Sequence, residues 1–386
     1  MYSKTTLGLA AGIAVSLAAF NPAAAQQKIK FSTFGHAKIP VVKCAWLGTA
    51  NSVVAQAGKS VALEPYLGGT AFGNPRKQFD FISRGVMDMS AGVLSYKQGA
   101  FPLTGLINLP FMVNDSVKAS IALNKVVRRR MADEFRNIHL MFVGLVTPYQ
   151  FHLREPIRGL EDLKGRRIRI SGKAATDALR IFGAQPAPMP ITQSYENLQK
   201  GVIDGVGGTW TAILAFKLGE VTKFHYEVNF ASPSVFMGMS KKAYAKLPAA
   251  ARKAVDAHST PEYAGKAMNC WARTTAPAKK LALKHGNTIK TASAADRARY
   301  ADMVAGVTRQ TIADLAAKGL PAQTVYDELK REVAAAEGAN YPRLRPSAPC
   351  HGSRSRKCCA TAIRPSWRPA RSRRAARSAS LSRRPC

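Results

Sequence analysis

Acidic side chains are scarce in this chain of 386 residues. Asp and Glu number 23 against 57 Lys and Arg, so the formal net charge at pH 7 is +34. Such an imbalance suits a protein that collects anions, because a positive field raises the rate at which anions are encountered. A basic solvated surface with no bearing on any ligand explains the charge equally well.

Recognisable catalytic motifs are lacking. The sequence contains no GxSxG, no HExxH, no phosphate-binding P-loop and no dinucleotide-binding fingerprint. The glycines between Gly205 and Gly208 are not followed by the Lys-Ser/Thr pair that a phosphate cradle needs. The adjacent acids Glu161 and Asp162 fit a capped turn better than acid–base chemistry. We therefore expect no enzymatic activity and no cofactor.

Cysteine is rare in the body of the chain, where only Cys44 and Cys270 occur. Their spacing matches no zinc, haem or iron–sulfur motif, and we predict no metal site. An oxidising compartment would permit a disulfide between them. Two separate small buried residues are the interpretation that we favour.

Long apolar runs are confined to the N-terminus. Lys4 precedes an apolar segment from Leu7 to Phe20, and small residues follow at positions 23–25. This pattern predicts a cleaved signal peptide over residues 1–25, because the run is shorter than the roughly 20 residues of a membrane-spanning helix. No lipobox cysteine follows it, so we expect a free periplasmic protein.

The C-terminal segment 343–386 differs in composition from the rest of the chain. It holds 13 Arg or Lys, no Asp or Glu, and four of the six cysteines. We predict disorder, since such a segment buries too little apolar surface to offset its ordering entropy. A basic arm for nucleic acid or anionic lipid is one interpretation, but we favour a frame change in a GC-rich gene. Without this tail and Lys4, residues 26–342 still carry +20.

Strand and helix patterns alternate through the first part of the chain, which is typical of an α/β fold. Farther on, Thr260 and Pro261 predict the start of a long helix, which Pro277 could kink. The predicted elements are strands at 28–33, 61–66 and from 87, and helices at 44–58, 75–84, 261–280, 294–318 and 322–337.

Residues 153–210 contain an ordered series of short motifs. They are Asp162-Leu163-Lys164-Gly165 before a basic strand, then Phe182-Gly183-Ala184, Pro188-Met189-Pro190, a helix at 195–201 and Val202-Ile203-Asp204-Gly205. In this order and spacing they resemble the core signature of the DctP-type solute-binding proteins, the periplasmic receptors of TRAP transporters. The resemblance covers nearly all of residues 28–340 and includes Tyr66-Leu67-Gly68-Gly69, Gly73-Asn74-Pro75-Arg76, Phe101-Pro102-Leu103 and Leu109-Pro110-Phe111.

The resemblance implies an α/β, two-lobed periplasmic binding protein fold (class II-like). Similar receptors have crossing hinge strands and a long helix that leans on both lobes. Carried over to this chain, lobe one takes residues 28–147 plus 234–275. Lobe two takes residues 148–233 plus 276–340.

Arg169 is the residue that we expect to anchor the ligand. Alternation along the strand at 166–170 places Arg167 and Arg169 on one face, opposite Ile168 and Ile170. A guanidinium fits a carboxylate through two parallel hydrogen bonds, and in the resembling family the arginine at this place grips the ligand carboxylate. Arg166 and Arg167 are expected to face solvent or the other lobe.

Lobe two supplies further candidate ligand-binding residues. Gly172 would allow the backbone to approach a ligand closely, and Trp210 is either a wall of the pocket or a core tryptophan. Gly208 stands where sialic-acid receptors of the family carry a polar amide. Arg154 is near, but displaced from, the place of their second arginine. Both departures argue against a sialic acid ligand.

Lobe one supplies the remaining candidates. They lie on the helix that resembles the ligand-facing one, at strand ends or near the crossing between lobes, where functional loops and aromatic contacts are expected. A structural role is equally acceptable for each of these residues: Arg76, Gln78, Tyr96, His36 and Phe236.

These patterns predict a monomeric periplasmic receptor that captures a small organic acid by hinge closure. The resemblance implies delivery to the membrane subunits of a TRAP transporter, which an ion gradient would drive. One alternative is a receptor of the same fold that serves a sensor kinase or another transporter. The other is a nucleic-acid-binding protein acting through its tail, although we expect no nucleic-acid partner. The identity of the acid, its number of carboxylates and a bridging metal ion stay open.

Overall fold

The computed structural model describes residues 26–338. The predicted signal peptide at 1–25 and the predicted basic tail at 343–386 therefore lie outside the described residues. Within them there are 11 strands: β1 (Gln27–Ser32), β2 (Val61–Tyr66), β3 (Met89–Val93), β4 (Ile138–Leu145), β5 (Gln150–Leu153), β6 (Arg167–Ile170), β7 (Gln185–Pro188), β8 (Gly205–Gly208), β9 (Phe224–Glu227), β10 (Ser234–Ser240) and β11 (Thr288–Thr291).

Twelve α-helices of the described range cover these strands. They are α1 (Leu47–Ala57), α2 (Gln78–Ser83), α3 (Ser116–Arg130), α4 (Lys173–Ile181), α5 (Ser194–Gln199), α6 (Trp210–Ala215), α7 (Lys241–Ala245), α8 (Ala249–Ala257), α9 (Pro261–Ala272), α10 (Thr275–Lys284), α11 (Ala294–Ala316) and α12 (Ala322–Gly338). Short 3₁₀ turns join several of them, and a π-helical turn at Val42–Trp46 leads into α1.

The strands form two separate mixed sheets. The first has the order β2-β1-β3-β10-β4, and the second has the order β11-β9-β5-β8-β6-β7. In the first sheet β1 runs parallel to β2 and β3, whereas β10 is antiparallel to β3 and β4. We call the first sheet with the helices packed on it lobe one. The second sheet with its helices is lobe two. Two sheets with helices confirm the predicted α/β class.

The backbone passes between the sheets between β4 and β5 and again between β9 and β10. Every strand of the first sheet lies within the range predicted for lobe one, 28–147 plus 234–275, except that β1 begins one residue earlier, at Gln27. Every strand of the second sheet lies within the range predicted for lobe two, 148–233 plus 276–340. The boundaries between lobes at single-residue level stay predictions.

Several elements follow their sequence signals closely. The strands predicted at 28–33 and 61–66 are β1 and β2, with a shift of one residue in the first. The helix predicted at 75–84 is shorter, because α2 begins at Gln78. Gly85 follows it with a φ of +70°, a backbone conformation that costs glycine little.

The long helix predicted at 261–280 is interrupted, but not at the proline. Thr260 caps α9 by accepting a hydrogen bond from the backbone N–H of Tyr263. The helix ends at Ala272, and α10 begins at Thr275. Pro277 lies in the first turn of α10, where a missing N–H removes no intrahelical hydrogen bond. The prediction of a kink at Pro277 was therefore wrong.

Together, α9 and α10 connect the lobes. Helix α9 packs against α3 and β4 of lobe one, whereas α10 packs against α6 and β11 of lobe two. The expected lobe-spanning helix is thus present as two consecutive helices with a break at the junction.

The last described helix packs differently from the prediction, which placed it in lobe two. Helix α12 contacts α3, and Val325, Leu329 and Val333 join the apolar core of lobe one. Glu328, 5% exposed, pairs with Arg129 and Arg130 at the end of α3. Burial of its apolar face against α3 explains this placement.

The two body cysteines are bonded to each other, contrary to our preferred interpretation. Cys44 in the π-helical turn and Cys270 in α9 form a disulfide with a Cα–Cα distance of 6.2 Å, within the range that disulfides span. Cys44 is exposed and Cys270 is half-buried. The bond fixes the turn that precedes α1 to α9, although 226 positions separate the two residues.

No helix within residues 26–338 is both long enough and apolar enough to cross a membrane.

Candidate functional site

A cavity lies between the two lobes, at the ends of strands from both sheets. It holds about 570 Å³ of empty space including its mouth. Lobe one contributes residues after β1, β3 and β4, and lobe two contributes residues from β6, the end of β8 and α6. The lining is almost entirely apolar and consists of Phe34, Gly35, Ile39, Val41, Val42, Trp46, Val93, Tyr96, Val146, Tyr149, Arg169, Ile191, Gly208, Thr209, Thr211, Ala212, Ala215, Phe216, Pro233 and Trp271.

Arg169 is the charged residue of this lining and is only 1% exposed. Its Nε donates to the carbonyl of Met189 at 2.9 Å, and its Nη1 donates to the carbonyl of Gly207 at 3.2 Å. Its Nη2 donates to the hydroxyl of Tyr96 at 3.3 Å. No carboxylate in residues 26–338 forms an ion pair with it. The guanidinium is therefore held in a fixed orientation by neutral groups while its charge is left without a counterion from this part of the chain.

Hydroxyl groups from both lobes surround this arginine. The hydroxyl of Tyr149 lies 2.6 Å from Oγ of Ser171, which accepts a hydrogen bond from Oγ of Ser95 across the lobe boundary at 3.2 Å. Burial raises the pKa of Tyr149, and the charge of Arg169 opposes that rise only in part. Tyr149 is therefore a neutral hydroxyl beside the cation.

Tyr96 joins the lobes at the site. Its hydroxyl accepts hydrogen bonds from Nη2 of Arg169 and, at 3.1 Å, from the backbone N–H of Ile191. Both donors belong to lobe two, whereas Tyr96 follows β3 of lobe one. The contact closes one side of the cavity.

Aromatic rings continue from Tyr96 along the wall of lobe one in edge-to-face pairs. Centroids of Tyr96 and Phe34 are 5.8 Å apart, and those of Phe34 and Trp46 are 5.4 Å apart. Trp46 meets Trp271 at 5.4 Å and 72°. These spacings are those that aromatic pairs favour, so the four rings form a packed wall rather than four independent side chains.

A pair of buried histidines supports the lobe-two side. Nε2 of His152 lies 3.1 Å from the carbonyl oxygen of Gly208 and donates to it, and Nδ1 of His152 lies 2.9 Å from Nδ1 of His225. Desolvation holds the pKa of His152 well below its usual value and lowers that of His225 to about 4. Both rings are neutral near pH 7 and brace the strand that carries Gly208.

Of the predicted site residues, the structure brings Arg169, Tyr96 and Gly208 together in the cavity lining. Gly172 lies just outside the lining, at the start of α4, with a φ of +94°. A Cβ at this position would lie 3.8 Å from Cβ of Ser95 in lobe one, so the positive φ rather than lack of space favours glycine.

Trp210 is a core residue and does not line the cavity. It is 2% exposed, and its indole Nε1 donates to Oε1 of Glu227 at 2.8 Å. Its ring packs edge-to-face on His152. Of the two interpretations, wall or core, the packing favours the core.

The other candidates also lie away from the cavity. Arg76, His36 and Arg154 are exposed side chains outside its lining. Gln78 is buried and accepts hydrogen bonds from the hydroxyls of Ser32 and Ser90, while Phe236 is 1% exposed in the core of lobe one.

Sequence reasoning missed most of the aromatic wall. Phe34 lies two residues after the end of β1, and a residue in the loop after a strand end could have been considered as facing the cleft. Trp46, Tyr149 and Trp271 carry no such signal, because they come from a π-helical turn, a crossing segment and the end of α9. No group of three or more His, Cys, Asp or Glu within the described range could hold a metal ion.

Solved structures support this architecture. A TRAP solute-binding protein from Rhodoferax ferrireducens T118, in complex with copurified benzoate, is 25% identical with a TM-score of 0.78, and the match covers 80% of this chain and 98% of that one. A marine metagenome TRAP solute-binding protein specific for aromatic acid ligands, co-crystallised with 3-hydroxybenzoate, is 26% identical with a TM-score of 0.78 and coverages of 81% and 99%.

Curated relatives match over shorter stretches. The 2,3-diketo-L-gulonate-binding periplasmic protein YiaO of Escherichia coli K12 is 27% identical over 164 residues, which are 40% of this chain and 48% of that protein. The chain matches only about half the length of the first curated relatives, at 58% and 48%. A profile of the DctP family, bacterial extracellular solute-binding protein family 7, matches residues 50–314. This match spans more than half of the chain and confirms the resemblance in the sequence: the chain belongs to the DctP family of bacterial extracellular solute-binding proteins.

Proposed function

We propose that this protein is a periplasmic receptor that captures a small aromatic monocarboxylic acid and delivers it to the membrane subunits of a TRAP transporter. One observation carries the proposal. Arg169 is 1% exposed, lines an apolar cavity and has no carboxylate partner in residues 26–338.

A buried cation without a counterion is costly, because the charge has lost its hydration. A ligand carboxylate would restore the lost interaction through charge-assisted hydrogen bonds. Two carbonyls and the hydroxyl of Tyr96 occupy three of the five N–H groups of the guanidinium, and the hydroxyl of Tyr149 interacts with the same side chain. The remaining donors suit a carboxylate, and the fixed plane of the side chain sets its direction.

The rest of the lining favours one carboxylate on an apolar body. The lining of the cavity offers no second cation for a dicarboxylate. Its hydroxyl groups, on two tyrosines and two threonines, are few for the many hydroxyls of a sugar acid. The edges and faces of Phe34, Trp46 and Trp271 suit a flat ring. The aromatic acids bound by the two similar receptors support this ligand class.

Capture would proceed by rotation of the lobes about the crossing segments. A ligand drives closure only by its greater affinity for the closed state. An acid held by Arg169 on lobe two and by the aromatic wall on lobe one contacts both lobes at once. The hydrogen bonds from Arg169 to Tyr96 and from Ser95 to Ser171 then link the closed lobes.

Thermal unfolding of the full exported protein, freed of carried-over ligand, tests the proposal. The panel comprises benzoate, phenylacetate, mandelate, C3–C6 mono- and dicarboxylates and sugar acids. Because a ligand stabilises the folded state that binds it, an acid at about 100 times its Kd should add about 2.7 kcal/mol. We expect aromatic monocarboxylates to give the largest shifts.

Arg169→Ala should abolish these shifts, whereas Arg154→Ala is the matched control because that arginine is exposed and outside the cavity. Stabilisation by dicarboxylates or sugar acids alone would overturn the aromatic assignment. Equal shifts in the wild type and in Arg169→Ala would overturn the role of the anchor.

A further inference from the structure

Two indole N–H groups beside the cavity have no hydrogen-bond acceptor in the described residues. Trp46 is 1% exposed and Trp271 is 8% exposed. Both residues line the cavity, and Nε1 of each is buried without a partner. By contrast, Trp210 outside the cavity donates to Glu227. A buried donor without an acceptor is costly, and of the ten buried side-chain atoms that lack a partner in residues 26–338 these two belong to residues that line the cavity.

The two donors form a built pair rather than two accidental neighbours. The rings meet at 5.4 Å and 72°. Cys44 lies two positions before Trp46, and Cys270 lies directly before Trp271, so the disulfide joins the two turns that carry the rings. The separation of the two indoles is therefore fixed by a covalent bond as well as by packing.

The pair is distinct from the carboxylate anchor. Phe34 lies between Trp46 and Tyr96 along the wall, and Tyr96 is the residue that contacts Arg169. A ligand carboxylate on Arg169 would thus leave the indoles to the other part of the molecule.

We infer that Trp46 and Trp271 form a second polar subsite, which binds an oxygen acceptor carried on the ring of the ligand. This inference rests on the proposed function, since it takes an aromatic acid anchored at Arg169 as given. An indole N–H donates and cannot accept. The substituent must therefore accept, as a hydroxyl, methoxy or carbonyl oxygen does and a methyl group does not. The preferred ligand is an oxygen-substituted aromatic acid rather than an unsubstituted one.

The first test needs no variant. Dissociation constants of the full exported protein are measured by calorimetry for the 2-, 3- and 4-hydroxybenzoates and for the methylbenzoates of the same substitution. Hydroxyl and methyl groups are similar in size, so their comparison isolates the acceptor. At one ring position or more, we expect the hydroxyl compound to bind about fivefold more tightly, which is the worth of about one neutral hydrogen bond. The matching methoxybenzoate should keep part of that advantage.

The second test removes each donor and retains an aromatic ring. Trp46→Phe and Trp271→Phe, made separately, are compared by the ratio of the two dissociation constants at the preferred ring position. Loss of ring area weakens both ligands and cancels in the ratio, so a purely structural role would leave the ratio unchanged. We expect the ratio to fall toward one in at least one of the two variants. Trp210→Phe is the matched control and should retain the wild-type ratio.

The outcomes separate the two proposals. Benzoates that bind in an Arg169-dependent way without preferring a hydroxyl at any position would overturn the subsite and leave the receptor proposal standing. A preference that survives both Trp46→Phe and Trp271→Phe would also overturn it. Absence of binding by every benzoate to the wild type would remove the receptor proposal and the subsite together.

Discussion

At the scale of single residues, the buried histidine pair shows how the site depends on groups that never touch a ligand. His152 donates to the carbonyl of Gly208 and faces His225. Nε2 of His225 in turn lies 3.1 Å from Nδ2 of Asn287, whose two N–H groups are shared between this nitrogen and two backbone carbonyl oxygens. A proton added to either ring would place two N–H groups against each other, so this chain of contacts requires neutral imidazoles.

We expect the stability of the protein to fall as the pH falls from about 6.5 to about 4. The pKa of His225 is lowered from 6.5 to about 4 by burial, so in this window the unfolded state binds a proton that the folded state does not. Stability therefore rises with pH across the window and is largest above 6.5. For His225 alone the difference is about 3 kcal/mol.

Chemical denaturation at pH 4, 5, 6 and 7 measures this dependence. His225→Gln should be less stable than the wild type at pH 7 but should show a shallower decline toward pH 4, because one of the buried titrating groups is gone. An identical decline in the variant would show that other groups, such as His152 or His258, carry the effect.

Only some of the single residues at the site could be predicted from the sequence. Arg169 was identified because its strand carries a recognisable motif, and Tyr96 because it follows a strand end. Gln78 and Phe236 do not line the cavity, because Gln78 is hydrogen-bonded to buried serines and Phe236 packs in the core of lobe one. Strand alternation and family position fix the element, whereas the direction of one side chain depends on packing that a single sequence does not record.

At the scale of elements, the disulfide is the feature with the widest effect. It ties the π-helical turn at Val42–Trp46 to α9, and these two elements carry part of the cavity wall. Sequence reasoning could not establish it, because two cysteines 226 positions apart give no spacing signal. The break between α9 and α10 was missed for a related reason. The sequence indicated Pro277 as the place of a kink. The helix instead ends at Ala272, where the packing partners change from lobe one to lobe two.

We expect the double variant Cys44→Ala with Cys270→Ala to lose about 2–4 kcal/mol of unfolding free energy, since the cross-link restricts the unfolded chain. Its affinity for an aromatic acid should also fall, because the turn that carries Trp46 is released from α9. Urea titration and calorimetry measure the two effects. Ser83→Ala, on α2 and outside the cavity lining, is a control for a small polar substitution. Unchanged stability and affinity would show that packing alone holds the wall.

At the scale of the whole molecule, the ligand capture that we propose would depend on contacts between the lobes. The α/β class could be predicted from the alternation of strand and helix patterns, and the two lobes from the resemblance to the DctP family. The placement of α12 on lobe one could not, because it depends on ion pairs with Arg129 and Arg130 and on packing against α3.

Tyr96→Phe should weaken ligand binding by up to about 30-fold while it leaves the fold intact. The variant keeps the ring against Phe34 but removes the hydroxyl that accepts from Arg169 and from Ile191, so the closed state loses two interlobe hydrogen bonds, each worth about 1 kcal/mol. Calorimetry gives the affinity, and small-angle scattering gives the radius of gyration with and without ligand. The wild type should contract on binding, and Tyr96→Phe should need more ligand for the same contraction. Tyr326→Phe, on α12 away from the cavity, is the matched control.

The position of α12 also determines the order in which the molecule can be completed. The strands of both lobes and helix α11 are complete by residue 316, and Ile312 and Leu315 of α11 already reach the core of lobe one. The side of α3 that packs on α12 is covered only when residues 322–338 are present. Because the chain is synthesised from its N-terminus, lobe one is begun first but completed last. Nearly the whole polypeptide must therefore be synthesised before lobe one is complete, and a truncation that removes α12 would expose α3, which belongs to the lobe that is synthesised first.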